Sequence, residues 1–210
     1  ERLTPRNCDE LLFDDVLWVE RARMDHADFV TRMRERGIEV FDLQDLLAEV
    51  LDASPEARAF VLDRRITANH IGPVLARAIR PWLDELDGKW LARHLLGGVV
   101  VDDIPRDLVT PLMRDAMSGS EFIVYPVPNA LFQRDPSCWI YGTVTCNPMY
   151  WAARKPETLF QRVIYKFHPM FRDADFEILW GDADEDWGYA AMEGGDVMPI
   201  GRGTVLIGMG

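Results

Sequence analysis

Over residues 16–36 the side chains of Val19, Ala22, His26, Phe29, Val30 and Met33 fall on one face, which predicts an amphipathic helix with Gly37 as its stop. A short strand is expected over residues 38–43. From residue 44 to about 117 the spacing is helical, with starts at Ser54-Pro55, Gly72-Pro73 and Pro81 and stops at Gly88 and Gly97-Gly98. The character then changes: residues 121–127 and 139–145, rich in aromatic and β-branched side chains, read as strands. A helix over about 157–167, a strand at 176–180 and a hairpin at 197–200 and 204–207, turning at Gly201-Arg202-Gly203, complete the pattern. The prediction is an α/β fold in which residues 1–43 and 118–210 form one part and residues 44–117 an inserted, all-helical subdomain. The order of strand, acidic loop, strand and helix suggests one unit used twice, about 58 residues apart.

Composition narrows the class. A chain of 210 residues with 48% hydrophobic content can bury a sizeable core. Its formal charge of -12 and lack of clustered Lys and Arg argue against nucleic acid, since a polyanion is bound by concentrated positive charge. No long apolar run predicts a membrane span, and no leader is seen. Three cysteines, Cys8, Cys138 and Cys146, lack CxxC spacing, which disfavours disulfides and zinc and fits a reducing cytoplasm.

Two acidic motifs carry the candidate chemistry: Asn129-Ala130-Leu131-Phe132-Gln133-Arg134-Asp135 and Glu193-Gly194-Gly195-Asp196, each expected where a strand gives way to a turn. A pair of placed carboxylates suits a planar guanidinium, because each can accept two parallel N–H bonds from that fork. Asp135 and Glu193 are therefore the candidate catalytic carboxylates. Asp135 precedes Pro136, which holds it extended, and an Asx-type turn before Ser137 is the alternative use of its side chain. The glycines after Glu193 allow close approach or positive φ. Asp196 supports the site or shapes its turn. A calcium loop from Asp182 to Glu193 is disfavoured by Trp187 at the position that needs glycine, so no metal or other cofactor is expected.

Together with Leu3-Thr4-Pro5-Arg6-Asn7, Glu10-Leu11-Leu12-Phe13-Asp14-Asp15 and Asn147-Pro148-Met149-Tyr150-Trp151-Ala152-Ala153-Arg154, these motifs resemble bacterial arginine deiminase in order and approximate spacing. The resemblance implies a five-bladed α/β propeller of ββαβ modules (the pentein fold), about half of it here, that hydrolyses L-arginine to L-citrulline and ammonia through a cysteine-bound amidino intermediate. It places Arg154 at the substrate's α-carboxylate, with Asn129 and Phe132 lining the pocket. The family's nucleophilic cysteine and catalytic histidine lie downstream of the matched strings, so this chain alone is expected not to turn arginine over. The edge left after Gly210 is expected to pair with a partner chain, a homo-oligomer, or to aggregate. The alternatives are a non-catalytic guanidine-binding fragment, an amidinotransferase or a dimethylarginine hydrolase.

Overall fold

The computed structural model describes residues 2–181 and 187–208. Helices α1 (Val19–Arg34), α2 (Leu43–Ala53), α3 (Pro55–Arg65), α4 (Ala68–Ile71), α5 (Pro73–Glu85) and α6 (Gly88–Gly97) follow one another. Their starts are capped by short polar side chains. Asp42, Ser54, Thr67 and Asp87 accept from the backbone N–H of Gln44, Ala57, His70 and Trp90, each satisfying a donor that the first turn leaves unpaired. Strand β1 (Val99–Val100), helix α7 (Pro111–Ala116) and strand β2 (Phe122–Val124) come next, with β1 and β2 antiparallel. Strands β3 (Trp139–Ile140) and β4 (Thr143–Thr145) form a hairpin, and β4 pairs in parallel with β5 (Glu177–Trp180). Helices α8 (Lys155–Phe167) and α9 (Pro169–Arg172) make the crossover that a parallel pair requires. A last hairpin joins β6 (Val197–Gly201) to β7 (Thr204–Ile207).

The main core joins α2, α3, α5 and α6 to β1, β2 and α8, with Leu47, Leu62, Ile79, Leu91 and Phe160 at its centre. Two smaller clusters serve the strands. Cys138, Ile140 and Val197 tie the first hairpin to the second, while Val144, Cys146 and Tyr165 seat α8 on the three-stranded sheet. The molecule is thus mixed helix and sheet, with small sheets.

Several local expectations are corrected. Residues 38–43 form no strand, because Asp42 caps α2 and makes Leu43 its first residue. Pro81 does not open a helix; it lies inside α5, where buried Ile79 and Leu83 hold the turn around it. Gly88 does not end a helix but begins α6, and a Cβ there would lie 2.3 Å from the Ala48 carbonyl oxygen, so glycine lets α6 close onto α2. Gly98, at φ 78, does end α6, as expected. The predicted strand at 121–127 is shorter, at Phe122–Val124, and the stretch 139–145 is two strands turning at Tyr141-Gly142. Helix α1 forms as the pattern predicts, yet none of its residues is buried.

The three cysteines are buried and unbridged. Among the described residues no helix is long and apolar enough to cross a membrane, and no group of His, Cys, Asp and Glu could hold a metal ion. Asp182, Asp184 and Asp186 of the disfavoured calcium loop lie outside the described residues.

Candidate functional site

Neither acidic motif follows directly on a strand. Each sits in the loop that leads into a hairpin: Asp135 four residues before β3 and Glu193 four before β6. The hairpins are linked at their turns by Tyr141, whose hydroxyl donates to the Thr204 carbonyl (2.8 Å) and accepts from the Gly201 N–H (2.9 Å). The loops are linked by Arg134, which donates from Nη2 to the Val197 carbonyl at 2.8 Å and from Nε to that of Gly194 at 3.3 Å. Gly194 makes this contact possible, since a Cβ there would lie 2.0 Å from the Arg134 carbonyl oxygen. Its freedom is thus used to bring the two motifs together, and Gly195 faces open space.

Between the loops stands the guanidinium of Arg154, its side chain only 9% exposed. Nε and Nη2 each donate to one oxygen of Glu157 at 2.9 Å, a bidentate fork. Nη2 also donates to Asp135 Oδ2 at 3.0 Å, and Nη1 to Glu193 Oε2 at 3.2 Å. The ring of Phe132 has Arg154 Cζ 5.8 Å from its centroid. Three carboxylates and one aromatic face therefore surround a guanidinium supplied by the chain itself. Asp135 does not spend its carboxylate on an Asx turn; Ser137 bonds the Tyr165 hydroxyl instead, at 2.9 Å.

The surrounding backbone fixes this geometry. Asn147, fully buried, donates from Nδ2 to the Asp135 carbonyl (2.7 Å) and from its N–H to that of Pro136 (2.8 Å). Asp196 accepts from the Glu193 N–H at 3.0 Å and so shapes the turn beneath it. Asn129 is buried away from the guanidinium and donates to the Leu11 carbonyl at 2.8 Å, anchoring the N-terminal segment. Of the six residues singled out from the sequence, Asp135, Glu193, Asp196, Arg154 and Phe132 are brought together and Asn129 stands apart. Glu157 was missed. Its signal was present, as a carboxylate three positions after Arg154 in the first turn of a helix opened by Pro156.

The electrostatics follow from burial and from three carboxylates facing one guanidinium. Burial works to lower the Arg154 pKa, but the Glu157 fork, then Asp135 and Glu193, outweigh it and raise it, so the guanidinium stays charged. Burial lifts the Glu157 carboxyl above its ordinary range against the pull of Arg154. Glu193 is likewise raised, first by burial and then by Asp135 and Asp196, against the pull of Arg154. A cavity of about 290 Å³ opens beside the cluster, lined by Asp135, Glu193, Asp196, Tyr150 and Met192. Such a pocket favours a small cation that can bridge two carboxylates. His168, expected to close a helix, ends α8, accepts from the Met170 N–H at 3.1 Å and bonds Glu49, so it is engaged elsewhere.

The motifs, their convergence and the guanidinium at their centre agree with a match across nearly the whole sequence. The family model described as arginine deiminase matches residues 9–210. The chain belongs to the arginine deiminase family.

Proposed function

We propose that this chain supplies the guanidine-binding carboxylates of an arginine deiminase, which hydrolyses L-arginine to L-citrulline and ammonia. The observation that carries this reading is the convergence of Asp135, Glu157 and Glu193 on a guanidinium, with Phe132 against its face. A pocket that holds one guanidinium has the charge and geometry to hold another beside it. Asp135 and Glu193 each direct one oxygen to Arg154 and both line the adjoining cavity, where they would grip the substrate and hold its carbon for attack. Arg154, bonded to Glu157, Asp135 and Glu193 and outside the cavity's lining, would hold those carboxylates in position instead of meeting the substrate's α-carboxylate.

In the chemistry proposed, a thiolate adds to the guanidinium carbon, ammonia leaves, and water cleaves the amidino–sulfur bond to give citrulline and free thiol. Cys8, Cys138 and Cys146 are buried outside the cavity, so the thiol and the general base would come from sequence beyond these residues, and the 210-residue chain would bind without turnover. A five-bladed α/β propeller, a cytoplasmic location and a homo-oligomeric state belong to the same proposal. The propeller reading is supported by the two hairpins that Tyr141 links, each preceded at four residues by a carboxylate.

The test is L-arginine binding by calorimetry. Asp135→Asn keeps the shape but turns an acceptor into a donor facing the ligand's donors, so affinity is expected to fall at least about thirtyfold. Binding within a factor of three of the parent would remove Asp135 from the site. Citrulline release by the purified chain would overturn the division of labour.

A further inference from the structure

A second cavity is larger than the acidic one. About 630 Å³ in volume, it lies between α4, β2 and the start of α8, walled by Ile71, Ile123, Trp151 and Leu159. That is the size of a site for a small organic molecule. Its charge is opposite to that of the chain. Arg65, Arg64 and Lys155 line it against the single carboxylate of Glu10, in a protein of formal charge -12.

Arg65 is the informative side chain. It ends α3 and is 9% exposed. Its Nη2 donates to the Tyr125 carbonyl, but its buried Nε has no partner. No carboxylate is paired with it among the described residues, and burial alone pushes its pKa down to about 10. Contrast Arg154, equally buried, which has three carboxylates. A cation withdrawn from water without a counter-charge is unfavourable, and an anion delivered into the cavity would remove that deficit.

We propose that this cavity binds a small monocarboxylate with a flat apolar body. The carboxylate would meet the Arg65 guanidinium, with Lys155 at the rim, and the body would lie among Ile71, Ile123, Leu159 and the Trp151 ring. One buried cation matches one negative charge. Arg64 is half-buried over the Phe60 ring and Lys155 is exposed, so among the cations of this cavity Arg65 is the one withdrawn from water. The site is distinct from the guanidine pocket, although Ala153, Lys155 and Pro156 line it while Arg154 among them turns to the carboxylates.

The probe is 2-naphthoate, with 2-naphthamide as its neutral isostere, titrated calorimetrically into the chain. The acid is expected to bind at least about tenfold more tightly than the amide, and Arg65→Met to abolish that preference. Should Arg65→Met fold poorly, Ile71→Trp fills the cavity from α4, leaves Arg65 in place and is expected to remove naphthoate binding. Equal affinity for acid and amide, no binding to the parent chain, or naphthoate binding that survives in a folded variant would each overturn the proposal.

Discussion

In the helical region Leu47, Val50, Leu51, Val61, Leu62, Leu83 and Leu91 are each at most 1% exposed and share one continuous core. Around Asp135 and Glu193 the buried side chains are instead Arg154, Glu157 and Asn147, held by directed bonds. The first region gains its stability from apolar area, which tolerates small shifts in position. The second depends on a charge network in which each member is tolerable only while its partners stay in place. Charges held away from water must be kept oriented by directed partners, and an apolar core cannot do that.

The largest effect expected in the acidic region is that of Arg154→Met, which strands the buried Glu157 carboxylate. Denaturant unfolding should show a loss of about 3–5 kcal/mol, and adding Glu157→Leu should recover most of it, since an apolar pair avoids both desolvation penalties. Failure of the double variant to recover would mean that the network is more than an ion pair. In the helical core Leu47→Ala should cost about 2–5 kcal/mol, and no single second substitution should restore it, because what remains is a cavity.

Smaller and sharper is the pair of glycines in one motif. Gly194→Ala must push against the Arg134 carbonyl and should cost about 1–3 kcal/mol, whereas Gly195→Ala meets nothing and should stay within about 0.5 kcal/mol. Equal thermal midpoints would show that the two loops are not in contact. The smallest effect is that of pH. Glu157 and Glu193 have raised pKa values, so the folded chain keeps protons that the unfolded chain has released. Their contribution to stability should therefore be fully present below the ordinary glutamate value of about 4.3 and be lost as pH rises through the raised values, whereas Asp103, Glu56 and Asp173, whose pKa values are lowered, contribute in the opposite sense. Glu193→Gln should make that slope shallower.

Signals that act within a few residues were legible in the sequence. Ser54-Pro55 and Gly72-Pro73 open helices, Gly97-Gly98 closes one, and the glycines around Arg202 turn the last hairpin. Signals that depend on a distant partner were not. Gly88 reads as a stop until α2 is beside it, and Asn129 reads as a pocket amide until Leu11, 118 residues away, takes its N–H. Two-residue β1 exists only because β2 pairs with it. The acids stood out and the resemblance named Arg154, but nothing local says that Arg154 would reach both.

The contact between Arg134 and Gly194 also bears on time. Its two halves lie 60 residues apart, with β3, β4, α8, α9 and β5 between them. Local helices can form before that loop closes, but the pairing of the acidic motifs cannot, because contacts distant in sequence carry the entropy of closure. The acidic cluster should thus be among the last parts of the fold to assemble and the first to open. In hydrogen exchange the amides of Asp196 and Gly208 should lose protection well before those of α2 and α6.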